Sequence, residues 1–319
     1  MKKIKYLLFL QFLLLVSCIG ENRKPKNDLV AEDPKIYTGP IIDMHCHAFD
    51  QIFFGGQDYT NPLTGKTYKA SSTVDSLRIE TLAKYEEHNV VKAMVSKGEL
   101  WFDHAPEKIM IGNDHRYSVN ELRERFSNGK LKVIGEVAPN YDGILPTDES
   151  LTEYFDLAVE LDIPIGYHLF PGGPPGGAYF FNPNLRAFHG KPLQFEEILI
   201  NRPNLKLYIM HAAWPYLEDL KALMYAHPQV YVELGVIAWV LPRQEFHTFL
   251  KGLVDAGFGK RIMFGTDQMI WVETISDSIE AINSANFLTV DQKADIFYNN
   301  AAKFLGFSVE EIKMHKNQL

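Results

Sequence analysis

Residues 41–47 read Ile-Ile-Asp-Met-His-Cys-His and form the first of several similar runs. Short apolar runs rich in β-branched residues recur along the chain, separated by stretches with apolar residues at three- and four-residue intervals. These runs are predicted to be strands at 41–47, 91–97, 108–112, 131–138, 163–169, 205–211, 230–235 and 261–267. Helices are predicted between them at 72–88, 118–128, 149–161, 193–201, 216–226 and 244–256.

This alternation of strands and helices indicates the fold class. Eight strands with crossover helices in roughly 250 residues predict an α/β protein with a (β/α)8 TIM barrel. The third strand has the weakest support, because it is short and no clear helix precedes it. A doubly wound open sheet is the alternative, but it requires a glycine-rich turn after the first strand, where Asp43, His45 and His47 stand instead.

The composition excludes several other classes of protein. Of 319 residues, 46% are hydrophobic and 23% are charged, which excludes a disordered chain, a collagen and a coiled coil. Without residues 1–17 the chain has 29 basic and 40 acidic residues, a formal charge of −11. With no evident basic cluster, a surface of this charge is expected to repel nucleic acid.

The amino terminus has the pattern of a signal peptide. Three lysines lie within the first five residues, and an apolar run follows at 6–16 that is too short to span a membrane. Residues 15–18, Leu-Val-Ser-Cys, resemble a bacterial lipobox, in which the cysteine becomes the lipidated first residue. We therefore predict a signal peptide at 1–17 and lipidation of Cys18.

The rest of the predicted organisation follows from this reading. Residues 18–40 lack apolar periodicity and are interpreted as a lipid-anchored linker, and residues 41–319 as the barrel. The expected location is the bacterial cell envelope, facing the periplasm or the cell surface, with membrane contact through the lipid alone. Once Cys18 carries lipid, Cys46 has no partner for an intrachain disulfide.

Potential ligands lie where the predicted strands end, which is the edge at which barrel enzymes build their active sites. His45 and His47 are two residues apart and therefore point to the same side of a strand, whereas Cys46 points to the other. Imidazoles and carboxylates together suit zinc, manganese or iron. Six side chains are predicted to converge: His45, His47, Glu136, His168, His211 and Asp267.

Five short segments resemble, as an ordered set, the amidohydrolase-2 branch of the amidohydrolase superfamily, over about residues 41–306. They are Asp-Met-His-Cys-His at 43–47, Tyr-His at 167–168, Met-His at 210–211, Gly-Thr-Asp at 265–267 and Asn-Asn-Ala-Ala-Lys-Phe-Leu-Gly at 299–306. The resemblance implies a distorted barrel with a divalent metal, for which we expect zinc, with manganese or iron as alternatives. The implied ligands are His45, His47, His168 and Asp267.

The resemblance also implies roles for three of these side chains. Asp267 takes the proton of an attacking water. In members with one metal, the residue corresponding to His211 acts beside the ion as an acid, a base or an electrophile. Glu136 resembles the bridging carboxylate of TatD-type and lactonase-type relatives, so a second ion with His168 and His211 as ligands is also predicted. No role is assigned to Glu233, which is either a support for the ligands or a purely structural residue.

The predicted function is metal-dependent hydrolysis of a small cyclic or aromatic lactone, ester, amide or phosphoester through metal-activated water. Two alternatives remain: a decarboxylase or lyase with one metal on the same fold, and a non-enzymatic lipoprotein that binds a metal or solute. The segment 170–179, rich in glycine and proline, is expected to cover the site. The residues predicted to contact substrate are Lys97, Trp101, Arg186, Trp214, Trp239 and Trp271.

Overall fold

The computed structural model describes residues 36–173 and 177–317. In this part of the chain eight parallel strands follow one another around a single sheet in sequence order. The predicted TIM barrel is thereby confirmed, and the open-sheet alternative is wrong. The strands β1 to β8 are Ile41–His47, Val90–Ser96, Ile109–Asn113, Val133–Val137, Ile165–His168, Leu207–Met210, Tyr231–Glu233 and Ile262–Met263.

The strands are apolar along most of their length because helices cover the outside of the barrel and side chains fill its inside. All residues of β5 and β6 are buried. The surrounding helices are Val74–Glu87, Glu99–Phe102, Val119–Ser127, Thr152–Glu160, Glu196–Asn201, Leu217–Ala226, Ile237–Val240, Arg243–Asp255, Thr274–Asn283, Val290–Ala294, Asn300–Leu305 and Val309–Lys316, with a π-helical turn at Asp295–Asn299.

Local sequence signals explain where several helices begin. Thr73 accepts a hydrogen bond from the Ser76 amide and starts the helix Val74–Glu87. Ser118 and Glu121 form a reciprocal capping box at the start of Val119–Ser127. The loop before β3, which had no clear helical pattern, contains the short helix Glu99–Phe102.

The first strand contains an irregularity that the alternation of residues did not predict. Asp43 pairs with Ala93 and Cys46 with Val95, so three steps along β1 correspond to two steps along β2. This is the geometry of a β-bulge, which changes the side to which the following residues point. Ile42 and Met44 pack in one core cluster, as alternation predicts, and after the irregularity His45 and His47 reach the end of the barrel.

The eighth strand is shorter than the predicted 261–267, and this changes how the barrel closes. Regular pairing with β7 stops after Met263. On the other side, against β1, the Thr266 and Asp267 amides both donate to the His45 carbonyl, at 3.2 and 2.7 Å, which a regular ladder does not allow. We call the contact between β1 and 264–268 the seam. Its other backbone bonds join Met44 N to Phe264 O and His47 N to Gln268 O, both at 3.0 Å.

The amino-terminal predictions lie outside the described residues. These are the signal peptide at 1–17, the lipidated Cys18 and most of the linker at 18–40. Residues 34–319 form one compact unit. Among the residues that the structure describes, no helix has both the length and the apolar character needed to cross a membrane.

Candidate metal centre

Strand β1 contributes two imidazoles to the barrel end. His45 is fully buried, whereas the His47 side chain keeps 14% of its surface exposed. Their Nε2 atoms lie 3.1 Å apart. Between them, Cys46 points to the opposite face and donates its thiol hydrogen to Gln268 Oε1 at 3.2 Å. The thiol is therefore not part of the cluster.

A second pair of imidazoles faces the first across Glu136. His168 Nδ1 and His211 Nε2 lie 2.9 Å apart. Glu136 Oε1 lies 2.6 Å from His168 Nδ1 and 3.4 Å from His211 Nε2. Its other oxygen, Oε2, lies 3.7 Å from His45 Nε2 and 3.5 Å from His47 Nε2. Each carboxylate oxygen of Glu136 thus serves a different pair of imidazoles.

Asp267 completes the half of the cluster that contains the β1 histidines. Its Oδ1 lies 2.9 Å from His47 Nε2 and 3.4 Å from His45 Nε2. The backbone φ of Asp267 is 49°, and that of His211 is 61°. Residues other than glycine rarely adopt such values, which cost on the order of 1–3 kcal/mol and concentrate at functional sites.

The donor set and its spacing fit divalent metal ions. Four ligands placed tetrahedrally at about 2.1 Å from zinc are about 3.4 Å from one another. The nitrogen–oxygen and nitrogen–nitrogen separations given above lie around this value. Three groups have ligand atoms within 4.8 Å of one another: His45, His47 and Glu136; Glu136, His168 and His211; and His45, His211 and Asp267. All six predicted metal ligands are therefore brought together.

The charges of the cluster keep both carboxylates ionised. Burial alone would raise the pKa of Glu136, but His45 and His168 lower it well below the usual range. Burial likewise opposes ionisation of Asp267, but His45, His47 and His211 bring its pKa below the ordinary aspartate value. An ionised carboxylate binds a cation and accepts a proton.

Glu233, at the end of β7, is a further member of the site. Its side chain is fully buried, and its Oε1 accepts a hydrogen bond from His45 Nδ1 at 3.1 Å. The same oxygen accepts the His211 amide at 2.8 Å. The sequence contained one relevant signal, a carboxylate that ends an apolar strand, as Glu136 does.

A model of the family described as Amidohydrolase matches residues 42–307. This chain belongs to the amidohydrolase family. The predicted resemblance is thereby confirmed, and the match includes every member of the cluster and, apart from Ile41, all residues of the eight strands. The lipoprotein part of that prediction concerns residues before the match and stays a prediction. A search of curated proteins gave no significant match.

Solved structures similar to this amidohydrolase share its fold at low sequence identity. A TIM-barrel protein from Bordetella bronchiseptica is 14% identical with a TM-score of 0.62, over 84% of this chain and 98% of that chain. A protein described as a metal-dependent hydrolase from Lactobacillus casei is 12% identical, with a TM-score of 0.61 over 85% and 96%. A 5-carboxyvanillate decarboxylase from Novosphingobium aromaticivorans, complexed with manganese, is 14% identical, with a TM-score of 0.55 over 86% and 97%.

Aromatic rings surround the imidazoles of this amidohydrolase. Phe49 stacks on His47 with ring centroids 5.9 Å apart. Tyr141 lies against His168 at 4.9 Å, and Phe170 against His211 at 5.5 Å. The sequence gives no signal for Tyr141, because it follows β4 in a loop without any recognisable pattern.

Of the four tryptophans predicted to contact substrate, only Trp214 lies close to this aromatic wall. Its ring is 5.8 Å from Phe170, and its Nε1 donates to Glu245. Trp101, Trp239 and Trp271 are 2%, 3% and 2% exposed and belong to the hydrophobic core. The structure therefore does not bring these three rings to the cluster.

The two predicted cationic contacts have partners in the protein. Lys97 Nζ lies 3.4 Å from Asp50 Oδ2. Arg186 donates to the carbonyl oxygens of Pro183 and Leu185, both at 2.7 Å. The segment 170–179, predicted to cover the site, falls partly outside the described residues, which omit 174–176.

Proposed function

We propose that this amidohydrolase is a metal-dependent hydrolase of a small cyclic or aromatic lactone, ester, amide or phosphoester. The position of Glu136 carries the proposal. One of its oxygens faces His45 and His47, and the other faces His168 and His211. A carboxylate shared in this way suits two cations, which supports hydrolysis more than decarboxylation on one ion.

Each half of the cluster would hold one ion. The first ion would be held by His45, His47 and Asp267. The second would be held by His168 and His211. Glu136 would bind both ions. When bound, a divalent cation supplies Lewis acidity that lowers the pKa of water from about 15.7 towards about 7. Zinc is the expected metal, and the manganese in the complex of the Novosphingobium decarboxylase supports manganese as an alternative.

The tautomer of His211 supports a ligand role for that residue. Its Nδ1 lies 3.0 Å from the Gly235 carbonyl oxygen, which only accepts hydrogen bonds. Nδ1 must therefore carry a proton, and in the neutral ring Nε2 keeps its lone pair. That lone pair points towards Glu136 and His168. In its neutral form His211 can therefore bind a cation through Nε2.

Asp267 is the group that moves the proton. Its lowered pKa keeps the carboxylate ionised at neutral pH, so it can accept a proton from the attacking water. After cleavage the same carboxyl group can return this proton to the leaving group. Phe49, Tyr141 and Phe170 form an apolar wall beside the imidazoles that suits a flat or cyclic substrate.

Glu136→Gln is the experiment that tests the proposal. The amide has only one oxygen and no charge, so it cannot bridge two ions, and we expect about two metals per chain to fall towards one. Elemental analysis measures this ratio. Hydrolysis of a panel of lactones and esters, assayed alongside carbon dioxide release from aromatic acids, measures the reaction.

Glu99→Gln is the matched control, because Glu99 is a partly buried glutamate that pairs with Arg125 away from the cluster. Its metal content and rate should match the wild type. One metal per chain in the wild type, unchanged by Glu136→Gln, would instead favour the decarboxylase or lyase. Bound metal with no turnover of any substrate would favour the binding lipoprotein.

We also propose that the barrel is attached to the cell envelope through lipid on Cys18. Cys18→Ser should leave the protein unprocessed or soluble, because the apolar run at 6–16 is too short to anchor it. Partition into a detergent phase and the mass of the amino-terminal peptide measure this. Cys46→Ser is the control and should partition like the wild type; equal partition of both variants would contradict the anchor.

A further inference from the structure

We propose that Glu233 is a positioning residue that holds one histidine from each half of the cluster in its metal-binding orientation. The inference rests on the metal site proposed above, but not on the reaction assigned to it. Glu233 ends β7, whereas His45 belongs to β1 and His211 follows β6. One side chain therefore links three different strands.

The contacts of Glu233 fix which nitrogen of His45 faces the other ligands. Its Oε1 lies 3.1 Å from His45 Nδ1, and an ionised carboxylate only accepts hydrogen bonds. Nδ1 must therefore carry the proton, which leaves the lone pair of a neutral ring on Nε2. That atom is the one that lies 3.4 Å from Asp267 Oδ1 and 3.1 Å from His47 Nε2. A carboxylate behind a histidine in this way orients the ring and raises its basicity.

The same carboxylate also holds the backbone that carries His211. Its Oε1 accepts the His211 amide at 2.8 Å, at a residue whose φ of 61° needs support from its surroundings. Its Oε2 accepts the Gly235 amide, and the Gly235 carbonyl in turn accepts from His211 Nδ1. Both the main chain and the ring of His211 are thereby connected to Glu233.

The Glu233 carboxylate fits beside two glycines because they have no side chains. A Cβ added at Gly235 would lie 2.6 Å from Glu233 Oε2, and one added at Gly265 would lie closer still. Atoms at such distances overlap, so any other residue would displace the carboxylate. Gly265 belongs to the Gly-Thr-Asp segment at 265–267, and its lack of a side chain is explained by the carboxylate behind it.

The charge of Glu233 is unusual without a cation nearby. The side chain is 0% exposed, and among the described residues its ion-pair partners are the imidazoles of His45 and His211. A buried carboxylate that has no lysine or arginine partner is costly to the fold. A cation bound on the far side of both imidazoles would compensate for this charge.

Glu233→Gln tests this assignment. The chain from residue 19 onwards contains the whole compact unit 34–319 and is the protein to use. Competition with a chelator gives its affinity for zinc, which we expect to fall 10- to 100-fold in the variant. The metal-free variant should melt below the metal-free wild type, because the amide NH2 that replaces one carboxylate oxygen faces an N–H group from which Glu233 accepts in the wild type. Its gain in melting temperature on zinc addition should be smaller.

A purely structural role would lower the melting temperature without metal but leave the affinity for zinc unchanged. That result would overturn the proposal, as would a wild type that binds no metal. Asp295→Asn is the matched control, since it removes the charge of another buried carboxylate, one that pairs with Lys260. It should leave zinc affinity unchanged.

A second variant covers the case in which Glu233→Gln does not fold. Gly265→Ala adds a methyl group that would overlap the Glu233 carboxylate and lie 3.2 Å from His45 Cβ, so it should disturb the contact between these two side chains and also weaken zinc binding. Unchanged zinc affinity in Gly265→Ala would overturn the proposal. If the wild type binds zinc but hydrolyses nothing, and Glu233→Gln still weakens binding, the proposed reaction fails and the positioning role stands.

Discussion

Replacing Asp267 with asparagine is expected to lower turnover by about 10²- to 10⁴-fold while most of the metal is retained. The amide oxygen can still face His47 and the cation, because asparagine has nearly the same shape as aspartate. It cannot accept a proton at neutral pH, so the attacking water keeps its proton. Turnover and metal content, measured on the same preparation, separate these two effects.

The Asp295→Asn variant is again the suitable comparison, since it makes the same chemical change at a residue that pairs with Lys260 and Asn299 and should keep full turnover. Equal rates for Asp267→Asn and the wild type would remove Asp267 from the proton transfer. Its closeness to His47 would then reflect metal binding alone.

The double replacement of His45 and His47 with alanine should abolish both metal binding and activity and leave a folded barrel. These imidazoles lie at the carboxyl ends of the strands, where barrel enzymes place residues for function rather than for stability. Removing them takes two nitrogens from the half of the site that contains Asp267. Elemental analysis measures the metal, and circular dichroism with a melting curve measures the fold.

Cys46→Ala is a demanding control for this double variant. It lies between the two histidines on the same strand, but its thiol faces Gln268 on the other side. The control should keep its metal and its activity. Metal at wild-type level in the double histidine variant would contradict the proposed site.

The barrel and the identity of its six clustered side chains could be predicted from sequence because both depend on local patterns. Apolar runs separated by helical spacing predict strands and helices, and a polar residue at the end of a buried strand is easily seen. The spacing of His45 and His47 further fixes their shared direction. Parallel strands bring their carboxyl ends to one edge whatever the sequence distance between them, and this places His211 beside His45.

Other features depend on contacts that no local pattern encodes. The bulge between Asp43 and Cys46 lies in the pairing of β1 with β2, and the residues after β8 meet β1 through the bonds of Thr266 and Asp267 to His45. The contacts of Glu233 with His45 and His211 become visible only when β7 lies between β6 and β8 and the residues after β8 meet β1. In each case the deciding partner lies far away in the sequence.

The tryptophans show that sequence position can also suggest contacts that the fold does not make. Position after a strand correctly indicates the end of the barrel, but it does not indicate whether a ring faces the cluster or the interior of a loop. Trp239 and Trp271 lie 6.3 Å apart and surround Tyr59. Burying a large ring in such a loop core is more favourable in free energy than exposing it to solvent. Sequence position alone does not show whether a ring is buried in this way.

Two residues of the proposed metal site, His47 and Asp267, also belong to the seam that closes the barrel. Strands one and eight lack a regular ladder there, and the bonds that replace it include the amides of His47 and Asp267. A cation held by both of these residues would connect the two sides of the seam. By thermodynamic linkage, a ligand that binds only the folded barrel raises the free energy of unfolding with the logarithm of its affinity. A change at the seam that weakens cation binding should therefore also reduce the stability that the cation gives to the barrel.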